Sequence, residues 1–321
     1  MYYSEQLIEQ YSKPLSDSEK QSCESTIRVF ENILQKYGFS VTRKNFDIID
    51  SEDLNHRFHV KKDNIEFTIF LQGSYGNGTC VRQDSDVDIA MICETTFWTE
   101  YPTGKSRSNY GFTSSDFDIV EFKDEFCKFI RSLNSAYKVE NHDKCIFFEG
   151  NGSSRKDMDI VPSLRYRDYS KDYYCDPKNY IGGVLIRTNK GEIIINYPEQ
   201  SRLNSIQKNK ATSYYYKKIV RILKNIKNDM IEKGVVGADK VSSYGLECMI
   251  YNVPNDAFNS YYGYYSLKKI TYNVVEYLCE NTYLYPCFKE TNGILNIFDN
   301  SNNNENAYEL VLLKIKNYLV M

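Results

Sequence analysis

Gln72-Gly73-Ser74-Tyr75-Gly76-Asn77-Gly78-Thr79, followed by Asp84-Ser85-Asp86-Val87-Asp88-Ile89, is the stretch on which the reading of this 321-residue chain turns. Just before it, Glu66 to Leu71 (EFTIFL) is rich in β-branched and aromatic residues and reads as a buried strand. The segment after that strand is too glycine-rich to continue it and predicts a tight turn. Asp86 to Cys93 (DVDIAMIC) reads as a second strand. Side chains alternate faces along a strand, so Asp86 and Asp88 share one face while Val87 and Ile89 point into the core. Two carboxylates about 7 Å apart on one face repel unless a cation lies between them. Mg²⁺, a hard oxygen-liganded ion, meets that need and completes its shell with substrate phosphates. A third acid comes from Lys156-Asp157-Met158-Asp159-Ile160-Val161-Pro162, read as a strand over 156–161 that Pro162 stops; Asp157 and Asp159 share a face there. A lone DxD or a lone Gly-Ser carries little. Their conjunction, with eleven residues between turn and DxD and a later apolar-flanked Asp, points to a two-metal site for phosphoryl or nucleotidyl transfer.

Outward from this stretch, helical spacing covers 18–37 and 116–134, strands fit 145–149, and a hairpin joins 183–187 to 192–195. After Pro198 the pattern becomes helical: one long helix over 205–233, then 243–251, 257–280 and 306–320, with the Asn-rich 300–306 as a surface loop. The chain therefore reads as α+β, an α/β core with an N-terminal helix over 1–198 and a helical domain over 199–321 that closes the cleft. With 40 basic and 43 acidic side chains the net charge is -3, which excludes attachment to duplex DNA by bulk positive charge. No run approaches 18 apolar residues and the polar start MYYSEQLIEQ has no signal-peptide core, so the expectation is a cytoplasmic protein without a membrane partner. Nine cysteines with no CxxC pair read as reduced, buried thiols, and His56 with His59 as residues of a surface turn or strand edge. The 29 tyrosines read as a compositional bias and ordinary packing.

GSYGNGT, VRQDSDVDI and DMDIVP resemble the motifs of the polymerase-β-like nucleotidyltransferase superfamily. Within it the chain is most similar to the bacterial cGAS/DncV-like nucleotidyltransferases, the CD-NTases of CBASS antiphage signalling. Pro198-Glu199-Gln200, Asn204 to Lys210, Tyr216 to Lys224 and Ser242-Ser243-Tyr244-Gly245-Leu246-Glu247 follow in the family's order, so the likeness covers most of 65–255. It implies a mixed sheet with flanking helices and a C-terminal helical bundle, bilobal around a central cleft.

By that resemblance Asp86, Asp88 and Asp159 are the catalytic acids and ligands of two Mg²⁺ (or Mn²⁺) ions, with Asp157 the rival for the third place. Gly73 and Ser74 hold the donor triphosphate. On the long helix Ile219, Ile222, Leu223, Ile226 and Met230 form an apolar stripe, and Lys217, Arg221 and Lys224 stand on the opposite face. Alone that basic row is a solvated face; beside a triphosphate it becomes an anion clamp, and the family places a phosphate-binding lysine at Lys224. Ser243 and Tyr244 match a pair that touches phosphate and stacks on a base, and Ser163 lines the base pocket.

The implied activity is synthesis of a cyclic di- or trinucleotide messenger from NTPs, ATP among them, read by an effector that binds the product rather than the enzyme. The alternatives are a template-independent transferase acting on RNA ends or a small-molecule hydroxyl, and a catalytically silent nucleotide-binding protein. Residues 196–215 hold no Cys or His, so the zinc module of the animal DNA-sensing relatives is absent and no DNA activator is expected. The ending Tyr318-Leu319-Val320-Met321 departs from the small C-terminal residue through which some bacterial members are conjugated.

Overall fold

Local sequence signals set most element boundaries in the computed structural model, which describes residues 1–43, 57–81, 86–152, 154–259, 263, 265–299 and 304–320. Ser4 caps helix α1 (Glu5–Tyr11), and a Ser16–Glu19 capping box opens α2 (Asp17–Lys36). Strands β1 (Ser40–Arg43), β2 (Arg57–Lys62) and β3 (Ile65–Leu71) follow, then a short helix α3 (Gly73–Asn77) and β4 (Val87–Glu100). Asp118 caps α4 (Ile119–Leu133) by accepting from Val120 and Glu121 N–H. After it come β5 (Val139–Asn141), β6 (Ile146–Phe148), β7 (Met158–Asp168), β8 (Ile181–Arg187) and β9 (Ile193–Asn196).

These strands form one nine-stranded sheet in the order β1-β2-β3-β4-β7-β6-β5, with β8 on β7 and β9 on β8. Every pairing is antiparallel except β4 with β7. One sheet face carries Val87, Ile89, Met91, Met158 and Ile160 and is covered by α2 and α4 through Ile27, Phe30, Phe126 and Ile130. The opposite face carries a small apolar patch, Phe70, Ala90, Ile92 and Val184, and is left for the cleft.

The helical half comprises α5 (Pro198–Ala211), α6 (Tyr216–Glu232), α7 (Ser243–Tyr251), α8 (Leu267–Glu280) and α9 (Glu305–Val320). Its core gathers Ile219, Leu223, Ile226, Leu246, Val274 and Leu312. Tyr3 and Ile8 belong to this core and not to the sheet's. Tyr11 Oη donates to Asp229 Oδ2 at 2.7 Å, so the first dozen residues are strapped to the helical half. An ion cluster around buried Arg165 ties the halves together: Arg165 on β7 meets half-buried Glu94 on β4 and Glu199 on α5, each at 2.5 Å, and Arg57 on β2 meets Glu199 at 2.6 Å.

Four sequence expectations are corrected. The glycine segment after β3 is a turn of helix rather than a tight turn, ended by Gly78 at φ 65°. Strand β7 runs through Pro162, because β6 pairs with 158–160 and β8 with 164–168, leaving 161–163 without a partner on that side. The long helix over 205–233 is two helices; Ser213 and Tyr214 take φ of 51° and 66° and reverse the chain. The helix expected over 257–280 is a 3₁₀ turn at Asn255–Phe258 followed by α8, whose N-cap is Ser266. His59 lies inside β2 with its ring on Thr68 Oγ1 at 3.1 Å, while His56, Asp84, Ser85 and most of the Asn-rich loop fall outside the described residues.

Candidate active site

The parallel register of β4 on β7 brings the acids together. Asp88 is the direct partner of Asp159, and neighbouring strands stand about 4.8 Å apart. Alternation then places Asp88 and Ala90 of β4, and Asp159, Val161 and Ser163 of β7, on the cleft face. Asp86 sits one step before β4, exposed, close enough for its charge to act on Asp88. The Asp88 carboxyl is pushed up to about 7, first by burial and then by the charges of Asp159 and Asp86. Burial and the nearby charges of Asp159 and Asp86 make Asp88 costly to ionise, a cost that a divalent cation held by hard carboxylate oxygens would relieve.

Asp157 is placed differently. Its Oδ1 accepts from Gly150 N–H across the 150–157 turn, and it does not line the cleft.

Helix α3 brings backbone to the acids. Gly73 has φ 62°, and a Cβ there would lie 2.3 Å from Asp88 Oδ2, so only glycine permits this approach. Gly73 and Ser74 form the first turn of α3, whose N–H groups have no intrahelical acceptor, and both line the cleft.

The opposite wall comes from α6 and α7. Of the expected basic row only Lys224 lines the 520 Å³ cleft. Lys217, Arg221 and Lys224 are all buried, because α6 is the central helix and is packed on every side rather than solvated on one. Arg221 donates to the backbone carbonyls of Gly78 at 2.6 Å and Ser12 at 2.7 Å, holding the end of α3 against the N-terminal segment. Lys217 is buried deeper in α6 and receives a backbone tie, its N–H donating to Asn209 Oδ1 at 3.1 Å. Lys224 Nζ reaches Glu247 Oε2 at 2.7 Å and Thr79 Oγ1 at 3.2 Å.

Glu247 is the residue that sequence reasoning passed over. Only 1% exposed, it also accepts from Thr79 Oγ1 at 2.8 Å and Asn77 Nδ2 at 3.2 Å, and so joins α7, α6 and the end of α3 in one network. The available signal was its place four residues after Ser243, on the same helix face. Lys227 was also missed; its Nζ donates to Ser243 Oγ at 2.7 Å. Ser243 and Tyr244 stand at the start of α7 and line the cleft. Tyr244 as a residue is 39% exposed, while its hydroxyl is anchored to Glu290 Oε2 at 3.1 Å and Thr291 Oγ1 at 3.3 Å.

A helical turn of Gly-Ser set against acids on paired parallel strands, facing a lysine and the N-terminus of a second helix, is the equipment of a metal-dependent nucleotidyltransferase. Comparison with known proteins agrees. Residues 203–320 match the model of the cGAS/DncV-like nucleotidyltransferase C-terminal helical domain. The cyclic GMP-AMP synthase CdnE03 of Staphylococcus schleiferi is 40% identical over 99% of this chain and 97% of its own length. The cyclic dipyrimidine nucleotide synthase CdnE of Cecembia lonarensis is 32% identical over 81% of this chain and 78% of its own. The solved CdnE cyclic dinucleotide synthase of Elizabethkingia meningoseptica, with GTP and Apcpp, superposes with a TM-score of 0.73 at 27% identity, over 99% of this chain and 100% of that one. The chain belongs to the cGAS/DncV-like nucleotidyltransferases, whose matched relatives are cyclic nucleotide synthases and whose chemistry uses divalent metal ions. No helix among the described residues is long and apolar enough to cross a membrane.

Proposed function

We propose that this chain joins two or three nucleoside triphosphates into a cyclic oligonucleotide, with Asp86, Asp88 and Asp159 as its catalytic carboxylates. The observation that carries the proposal is the Asp88–Asp159 pair across β4 and β7, with Gly73 backbone against Asp88. Two Mg²⁺ ions held by these acids would supply activation of the attacking hydroxyl and neutralisation of the triphosphate.

The protein's own residues set the geometry. The first turn of α3 offers N–H groups and the Ser74 hydroxyl to the donor phosphates. Asp159 would accept the proton of the acceptor ribose hydroxyl as its oxygen attacks the α-phosphorus in line; the new bond is O–Pα and the bond broken is Pα–O to the leaving pyrophosphate. Lys224, drawn from Glu247, and the Ser243 hydroxyl meet the phosphates from the α6–α7 side, and the Tyr244 ring stacks on a base. In this scheme Lys217 and Arg221 act from behind the cleft, holding α3 and α6 in place. A second round with the roles of the nucleotides exchanged closes the ring.

The division of labour follows two cores, a nucleotidyltransferase core through residue 198 and a helical domain from 199, with residues 1–11 packed on the latter. ATP and GTP are the substrate pair supported by the relative named as a cyclic GMP-AMP synthase. The net charge of -3 supports activation without duplex DNA, and the family likeness supports a cytoplasmic role in CBASS antiphage defence through an effector that reads the product.

The test is incubation with labelled NTPs and Mg²⁺ alone. Phosphatase-resistant product is expected, and Asp86→Asn combined with Asp88→Asn should abolish both product and pyrophosphate release while the circular dichroism spectrum is retained. Pyrophosphate release at the wild-type rate by that double variant would refute the site. Activity only on addition of an RNA or small-molecule acceptor would refute the cyclase reading.

A further inference from the structure

We propose that His142, Cys145 and Asp159 form a binding site for a thiophilic divalent cation such as Zn²⁺, and that filling it inhibits the enzyme by withdrawing Asp159 from the catalytic carboxylates. One donor atom from each of the three residues lies within 4.8 Å of the others. Cys145 Sγ already stands 3.2 Å from Asp159 Oδ1. Around a tetrahedral Zn²⁺ with bonds of about 2.0–2.3 Å, donor atoms stand about 3.3–3.6 Å apart. Sulfur and oxygen therefore need almost no movement, and the exposed His142 ring supplies the remaining ångström by rotation.

The turn that presents the donors is built in advance. His142 N–H donates to Cys145 carbonyl at 2.9 Å, closing the turn between β5 and β6. Buried Lys123 fixes it from below, its Nζ donating to the carbonyls of His142 and Asp143 at 2.9 and 3.0 Å. Asn189 Nδ2 is a second donor to the His142 carbonyl, at 3.1 Å. The imidazole stacks on Phe147 at 5.4 Å and an interplanar angle of 5°, and Glu140 Oε2 lies 2.9 Å from its Nε2. A carboxylate on a histidine ring is the partner that orients metal-ligating imidazoles.

The three donors differ in kind from the all-oxygen set of Asp86, Asp88 and Asp159. Thiolate and imidazole select Zn²⁺ over Mg²⁺, and the thiol proton is released as the cation binds. Asp159 belongs to both sets, so occupancy of one competes with the other. Lys123 and Lys144 contribute positive charge nearby, while Asp88 and Glu140 contribute negative charge, so the site is not dominated by like charge.

Co²⁺ titrated into the nucleotide-free protein is the direct probe. A thiolate-to-cobalt charge-transfer band in the near ultraviolet is expected from the wild type and absent from Cys145→Ser. Zn²⁺ is then titrated into the Mg²⁺-supported pyrophosphate-release assay. His142→Gln, which alters no cleft-lining residue, should keep wild-type activity in Mg²⁺ while its half-inhibitory Zn²⁺ concentration rises roughly tenfold or more, the scale of a lost metal-site partner. Absence of the charge-transfer band, or equal Zn²⁺ sensitivity of wild type and His142→Gln, would overturn the proposal. The inhibitory step rests on the catalytic reading of Asp159, but the cobalt spectrum needs no activity. A protein inert in Mg²⁺ that still shows the band would refute the proposed function and leave the metal site standing.

Discussion

Replacing Asp88 with Asn should stabilise the metal-free protein at neutral pH, although it destroys the reaction. The Asp88 carboxyl rises from its ordinary 3.8 to about 7 in the fold, through burial first and the neighbouring Asp159 and Asp86 charges second. Between those two values the folded protein holds a proton that the unfolded chain has lost. The native state then binds more protons than the unfolded one, so stability falls as pH rises across the window and levels off above 7. At 1.36 kcal/mol per pH unit, the cost borne by the wild type is near zero at pH 4 and on the order of 4 kcal/mol at pH 8. Asn removes the ionisation at nearly constant shape. For a chain of this size about 2 °C per kcal/mol translates that into a gain of several degrees in Tm. The assay is thermal melting with a chelator present, of wild type and Asp88→Asn, across pH 4 to 8. A difference that grows with pH and plateaus near 7 is expected, and added Mg²⁺ or Mn²⁺ should raise the Tm of the wild type alone. A variant less stable than wild type at pH 8, or a difference independent of pH, would refute the claim that carboxylate repulsion strains this cleft.

Three further outcomes follow from the same geometry. Asp159→Asn should lower the rate of pyrophosphate release by at least about 10²-fold, whereas Asp157→Asn, whose carboxylate serves Gly150, should stay within about threefold; steady-state kinetics separates them. Gly73→Ala forces a Cβ onto Asp88 Oδ2 at 2.3 Å and a φ of 62° on an alanine, so kcat should fall by roughly 10²-fold, the scale of an ångström's misplacement, with a loss of about 1–2 kcal/mol in chemical denaturation. Glu247→Ala strands the buried Lys224 ammonium and should cost about 3–5 kcal/mol; adding Lys224→Met should recover part of that stability in urea titrations but none of the activity.

The acidic face of the sheet was legible because it depends on a period of two. Val87 and Ile89 had to be buried, which fixed Asp86 and Asp88 outward, and the same alternation fixed Asp159 against Ile160. What alternation cannot supply is the choice between Asp157 and Asp159, since both obey it; the choice is made by where β7 begins and by the Gly150 N–H that claims Asp157. The basic row of α6 failed for a related reason. An amphipathic pattern identifies the apolar stripe but not whether the other face meets water, and here Arg221 is covered by the N-terminal segment, far away in sequence, while Lys217 is buried beside the preceding helix α5. The break between α5 and α6 carried no Gly or Pro; it rests on two non-glycine residues in the left-handed region, a conformation that periodicity cannot register.

Lys224 shows how the two halves become one site. In sequence it is one of five cations on α6; in the fold it is the one whose Nζ emerges where α3 ends, between Thr79 and Glu247. Its ion pair with Glu247 is buried, and such a pair contributes little net stability against an apolar replacement of equal volume. Its value lies elsewhere. Asn77 and Thr79 hold Glu247 independently of the lysine, at 3.2 and 2.8 Å, so Glu247 stays satisfied if Nζ turns toward an arriving phosphate. The lysine is held at the cleft by a carboxylate whose other hydrogen bonds do not depend on it. In the proposed scheme that carboxylate therefore joins the end of α3 to α7, the two helices set on either side of the triphosphate.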